Sequence, residues 1–252
     1  MSEENFPNQE SPEQYEELSK TDAMAGVFSS PGETFETIAN SPKKNYWIIP
    51  VLISVVVGLI STFLFFQDAE LVNKTMDKQK EKMRERFEQN VKEGKMTKED
   101  VDKAMESMDP KGNFAKIIGF SFAAAGPFII LFILSLIYFI ILKVMKAEID
   151  YSQILNVVGL SMLIATVGGL LGIVISILKG DMSSVGLGLL LSEATVGEKV
   201  YTLLNKLDVF SIWFYIVVAI GLSKVARIDM IRSASIVFGI FIVYAVVTSF
   251  IF

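Results

Sequence analysis

The sequence predicts an all-α polytopic membrane protein: five transmembrane helices, with an extracytoplasmic helical hairpin inserted between spans 1 and 2. Three observations predict it. Hydrophobic residues make up 52% of the 252-residue chain without counting glycine, whereas soluble domains reach about 45–50% with glycine included. Charged residues crowd into residues 1–45 and 67–116 and leave the rest nearly bare. Five apolar stretches approach the roughly 20 residues that cross ~30 Å of hydrocarbon.

Residues 1–26 read as a disordered, acidic, cytoplasmic tail, with Pro7, Pro12 and few large apolar side chains. A signal peptide needs a basic start before its apolar core, and acids dominate here, so the first span is expected to act as its own insertion signal. Ser30, Pro31 and Glu33 suggest a capped helix start, with a proline at the first helical position. That short helix presents Phe35 and Ile38 on one side and ends near Pro42. Two turns cannot stand alone in water. It is expected either on the membrane surface or packed on the protein itself.

Span 1 covers residues 47–66, with Tyr46 and Trp47 at the aromatic-belt position. Residues 67–116 carry 12 Lys/Arg and 12 Asp/Glu and read as an antiparallel hairpin outside the bilayer. Val72, Met76, Met83, Phe87 and Val91 fall on one helix face. Gly94 is a stop, and Thr97 with Asp100 forms a second capping box before a helix ended by Asp109-Pro110. Glu88–Lys92 and Glu99–Lys103 are favourable i,i+4 pairs. Span 2 covers 117–142, with Pro127 expected to kink it, and span 3 covers 152–178. Val196, Val200, Leu203 and Leu207 then suggest one amphipathic interfacial helix. Spans 4 and 5 cover 209–226 and 233–252.

Seven bases fix the orientation: Lys43, Lys44, Lys143, Lys146, Lys224, Arg227 and Arg232 sit in the short segments of one side. Basic short loops stay in the cytoplasm. The N-terminus is therefore expected inside, the hairpin and C-terminus outside. Spans associate through close approach of small residues. Candidate faces are Ser54, Gly58 and Thr62; Gly119, Ala123 and Pro127; Ser161, Ala165 and Gly169; and Ser235 with Gly239. All are expected to point inward.

The chain has no Cys and no His, which excludes thiolate and His-ligated metal sites and Ser-His triads. No catalytic, cofactor-binding or metal site is expected. A net charge of −5 argues against nucleic acid. The hairpin methionines Met76, Met83, Met96, Met105 and Met108 resemble soft copper(I) ligands, but their periodicity is better explained by packing. Asp208, directly before span 4, suits a helix N-terminus by cap and dipole. Trp213, one turn on, reads as an interfacial anchor or packing residue.

Two stretches carry a family resemblance. One runs from Phe28 through Pro31, Phe35 and Ile38 to Pro42; the other holds Asp208, Phe210 and Trp213, then Gly221 to Ala226, and Ile231 to Ala234. Together they resemble the Yip1 family of five-span membrane proteins in its bacterial form, over about residues 27–252. The resemblance implies five spans, a cytoplasmic N-terminus, an external C-terminus and a bacterial inner (cytoplasmic) membrane. Its family and structural residues here are Pro31, Phe35, Pro42, Asp208, Phe210, Trp213 and Gly221. Eukaryotic members bind Rab GTPases, but the Asp-Leu-Tyr-Gly-Pro motif of that branch is missing here. The expected role is a non-enzymatic membrane scaffold or adaptor, with a small transporter or channel component as the alternative. The expected partners are the lipid bilayer and another protein, or a second copy, docking through the small-residue faces.

Overall fold

The computed structural model describes residues 18–107, 113–182, 185–189, 191 and 193–250. Its helices are α1 (Lys20–Ser29), α2 (Pro31–Asn40), α3 (Ile48–Gln67), α4 (Ala69–Lys92), α5 (Lys98–Ser107), α6 (Asn113–Val144), α7 (Tyr151–Lys179), α8 (Glu193–Val196), α9 (Glu198–Lys206), α10 (Val209–Val225) and α11 (Met230–Phe250). Four of them, α3, α6, α7 and α11, are long and apolar enough to cross a membrane. The 17-residue α10 lies at the short end of the spanning range of about 17–25 residues. The protein is an integral, multi-pass, all-α membrane protein, and no β-strand occurs among the described residues.

The bundle is built around α7, where every residue from 154 to 164 is buried. A helix apolar on all sides loses nothing by being surrounded. α3 runs parallel to it: Trp47 packs on Gly159, where an added Cβ would lie 2.5 Å from the Trp47 Cβ, and Ser54 Oγ meets Thr166 Oγ1 at 2.6 Å. α6 returns against α3, with Ala123 on Gly58 and Gly119 on Thr62 and Phe66. α10 descends along α7, from Phe210 beside Gly168 to Gly221 beside Val157. α11 rises along α10, where Ser233 Oγ donates to the Ala219 carbonyl at 2.6 Å and Tyr215 lies against Phe241.

The start of α3 shows how another helix can supply a missing cap. Trp47 provides no side-chain cap. Asn156, inside α7, accepts from Tyr46 N at 2.8 Å and Trp47 N at 3.3 Å, and donates to the Lys44 carbonyl at 2.7 Å. An apolar helix start therefore satisfies donors that would otherwise be orphaned.

Several expectations are corrected. The tail drawn as disordered to residue 26 is helical from Lys20, with Ala23 and Val27 fully buried; residues 1–17 lie outside the described residues. Pro31 does open α2, but Ser30 makes no side-chain cap bond, because its backbone (φ −143°, ψ 61°) is committed to the turn joining α1 and α2. α2 packs on the bundle, leaving only the second of its two expected placements, and Phe35 is fully buried. The single amphipathic helix expected from Val196 is broken at Gly197, whose φ is +80°, giving α8 and α9. Arg84 takes Glu88 at 3.2 Å, replacing the Glu88–Lys92 pair. Ser235 and Gly239 face outward, since α11 buries Ser233, Val237, Phe241, Ala245 and Ser249 instead. That stripe puts bulkier side chains against α10 and removes more surface from lipid contact. Span 2 is α6, and it does hold Pro127 in its interior. The Asp109-Pro110 stop and Met108 lie outside the described residues.

The hairpin stops and starts follow their local chemistry. Gly94 is left-handed (φ +70°), with Lys95 N bonded to Asn90 O and Gly94 N to Val91 O, a paired 6→1 and 5→2 closure. Thr97 N reaches Asp100 Oδ2 while Asp100 N reaches Thr97 Oγ1, the reciprocal box that opens α5. Lys103 pairs with Glu99 at 2.9 Å.

Candidate functional site

The small residues of α7 have unequal fates. Ser161 is buried within the core, and its hydroxyl bonds back to the Val157 carbonyl at 2.7 Å. One turn later the neighbours fall away. Ala165 and Gly169 are exposed, and a Cβ added to Gly169 would meet nothing within 4 Å. The inward face expected from Ala165 and Gly169 therefore lines an open space, because α6 leans on α3 there instead of closing on α7.

That space is a cavity of about 1000 Å³. One wall is α7 from Ala165 to Ser176; the opposite wall combines Thr62 and Phe66 of α3 with Phe114 and Ile118 of α6. Phe210 forms part of the lining beside Gly168, where a Cβ would sit 2.5 Å from the Phe210 Cβ. α4 contributes Thr75, Met76, Gln79, Lys80 and Met83. The methionine face assigned to the hairpin seam thus turns partly to the cavity, and Met76 and Met83 act as flexible apolar lining.

The charges of the lining differ in how they are satisfied. Asp208 caps α10: its Oδ1 accepts from Phe210 N at 2.9 Å and Ser211 N at 3.0 Å, and its Oδ2 accepts from the Ser211 hydroxyl. Its backbone pairs with Gly186 in an isolated bridge, and Val209 N reaches Val185 O at 3.3 Å. The carboxylate is saturated by donors at a positive helix end. Among the described residues, Lys80 forms no ion pair and the buried Thr75 hydroxyl no hydrogen bond.

α4 is held by a ladder of lysines one turn apart. Lys74 pairs with Asp181 at 3.1 Å and reaches the Gly180 carbonyl at 3.3 Å. Lys78 meets Asp181 at 3.4 Å and Glu193 at 3.7 Å, and Lys82 pairs with Glu198. Partial burial opposes ionisation of Asp181, yet Lys74 and Lys78 overcome it and hold the carboxyl below the usual carboxylate range. Beyond the ladder, α4 and α5 pack on each other as a projecting arm, with Val101 buried between them.

The remaining sequence-predicted residues pack along α10, from Trp213 beside Phe210 to Gly221 and beyond. Phe35 and Val157 both close on Gly221, where a Cβ would lie 3.0 Å from Phe35 Cδ2 and 2.5 Å from Val157 Cγ1. Trp213 stacks edge-on against Phe28 at 5.8 Å. Lys224 pairs with Glu36 at 2.7 Å, and Arg227 reaches Asn40 at 3.4 Å. α2 therefore runs parallel to α10, starting at Pro31 and ending just before the exposed Pro42. Asp208 and Phe210 belong to the cavity; Pro31, Phe35, Trp213 and Gly221 belong to this clasp. Sequence reasoning missed Asn156 and the lysine ladder. The signals were a lone amide in an apolar run and lysines spaced by four across from acids distant in sequence.

Among the described residues, no group of three or more acidic side chains could hold a metal ion. No solved structure matches the chain. It is 26% identical over 230 residues to "Membrane protein YknW" of Bacillus subtilis (strain 168), covering 88% of each chain. The family described as the Yip1 domain matches residues 25–252, and the chain belongs to that family.

Proposed function

We propose that this protein is a non-enzymatic membrane scaffold or adaptor of a bacterial inner membrane. In this reading the α1–α2 clasp is cytoplasmic, and the α4–α5 arm and the C-terminus are external. The arm carries the reading. Among the described residues α5 has α4 as its only substantial neighbour, so a charged two-helix surface stands clear of the bundle where a protein partner can reach it. The orientation is supported by the seven bases of the short connections, which flank the clasp end. Two of them, Lys146 and Arg227, occupy left-handed positions (φ 62° and 50°) where glycine is conformationally cheaper. A positive charge kept at such positions fits a cytoplasmic loop. The outward Ser235 and Gly239 of α11 offer a close-approach face for a second helix.

Photo-crosslinkers placed at Glu85 and Lys92, both exposed on the arm, test this in cells. A single stoichiometric protein partner is expected by mass spectrometry. Failure to capture one, together with solute flux through liposomes holding the chain alone, would overturn the adaptor reading. That result would favour a transporter component, the reading supported by the cavity along the glycine-rich part of α7.

A further inference from the structure

We propose that the cavity beneath α4 holds one anionic glycerophospholipid from the leaflet on the arm side. Its acyl chain lies along α7 and its headgroup meets Lys80. Four observations lead there. The volume of about 1000 Å³ stands at the upper end of ligand pockets, which run to about 300–1,000 Å³. Its length fits a leaflet: α7 lines it from Ala165 to Ser176, roughly 16 Å at 1.5 Å per residue, and half of a ~30 Å hydrocarbon core is about 15 Å. Its walls are apolar where a chain would lie, with Phe66, Ile118, Ile173 and Phe210, and a bare strip at Gly169 and Gly172.

The fourth observation is charge. Lys74, Lys78 and Lys82 are each paired with an acid, whereas Lys80, on the same helix, faces the cavity without an ion pair among the described residues. Asp208 carries the lining's negative charge, and three hydrogen bonds already satisfy it. The unsatisfied charge in the lining is therefore positive. A phosphodiester with an apolar tail answers Lys80 and the apolar walls at once.

The test uses the full chain in detergent micelles supplied with equal phosphatidylglycerol and phosphatidylcholine, read by native mass spectrometry. One retained phosphatidylglycerol per chain is expected, in about tenfold preference over phosphatidylcholine, the effect of one charge-assisted contact. Gly169→Phe fills the cavity where nothing stands within 4 Å and is expected to lose the lipid at least tenfold with an unchanged unfolding midpoint. Ala165→Leu serves as a smaller filling variant should Gly169→Phe fold poorly. Gly239→Phe, on the outer face of α11, is expected to retain the lipid. Lys80→Gln is expected to keep a lipid but bring the two headgroups to near-equal retention. The proposal is overturned if the wild type keeps no lipid, if both filling variants keep it, or if Lys80→Gln leaves the preference intact. None of these outcomes depends on a protein partner of the arm.

Discussion

Replacing Asn156 by Ala should destabilise the bundle more than any other single polar deletion within the spans. Three hydrogen bonds end at that side chain. Tyr46 is 2% exposed, so its N–H would be left unpaired away from water, at about 1–3 kcal/mol. Trp47 N is half-buried and its bond is long at 3.3 Å, which adds about 0.5–1 kcal/mol. The Lys44 carbonyl loses its 2.7 Å donor for a similar about 0.5–1 kcal/mol. The expected total is about 2–5 kcal/mol. The chain has two tryptophans, and Trp47 packs at this junction against Gly159, so tryptophan fluorescence during SDS titration from mixed micelles reads the loss directly. Ser161→Ala is the control, because among the described residues its hydroxyl bonds only within α7, to the Val157 carbonyl; it should cost less than about 1 kcal/mol. If Asn156→Ala unfolds within 1 kcal/mol of wild type, water or backbone rearrangement satisfies those donors, and cross-helix capping is not what holds α3.

Other perturbations test the clasp, the ladder and the orientation. Gly221→Ala puts a methyl 2.5 Å from Val157 Cγ1 and should cost about 1–3 kcal/mol; Gly239→Ala, with nothing within 4 Å, should stay within about 0.5 kcal/mol in the same unfolding assay. The triple change Lys74→Gln, Lys78→Gln, Lys82→Gln should speed amide exchange in α4, and 1 M salt should do the same to wild type by screening; equal exchange in all three samples would refute the ladder. The folded pKa of Asp181 is lowered, so its contribution is present above the unfolded carboxylate value of about 3.9 and is lost as pH falls through the lower folded value. α4 exchange, corrected for intrinsic rates, should therefore be flat from pH 8 to 5 and rise only in stronger acid. Single cysteines at Glu85 and Arg227, both exposed in a cysteine-free chain, should react with an impermeant maleimide from opposite faces of the membrane; labelling from one face would overturn the orientation.

The spans were legible because hydrophobicity over 20 residues leaves one physical option in lipid, and the predicted segments match the helices to within a few residues. Local chemistry was legible where a residue acts on its own neighbours, as Asp208 does at α10 and Thr97 and Asp100 do at α5. Ser30 shows the limit: its cap signature was correct in letters, but the turn from α1 set its backbone first. The choice of buried stripe on α11 was not legible either. Small residues mark a possible approach, yet which stripe faces in depends on what α10 presents, and Phe214, Val218 and Leu222 are buried there. The cavity needed three dimensions. A run of Ala and Gly reads equally as a contact face or as an empty one; the deciding fact is that α6 packs on α3 at Gly58 and Gly119 and leaves α7 uncovered.

α4 joins the two ends of this chemistry. It is capped by Asp68, whose carboxylate accepts from Leu71 N at 2.9 Å, directly after the end of α3 at Gln67. Leu71 and Val72 are buried at that base. From there one side carries Thr75, Met76, Gln79, Lys80 and Met83 to the cavity, while Lys74, Lys78 and Lys82 bind the segment after α7. These ion pairs are between about a third and a half exposed, so each contributes no more than about 0–1 kcal/mol. The roof of the cavity is thus held by weak, screenable contacts, while its hinge at Leu71 is held by burial. A partner that grips the distal arm needs no more than about 4 kcal/mol of differential affinity to break all four pairs. If breaking those pairs moves Lys80, a cavity ligand and the arm's partner would change each other's affinity by the same factor. Arm and cavity are therefore two faces of one helix, and a mutation that loosens one without affecting the other would have to act beyond Met83.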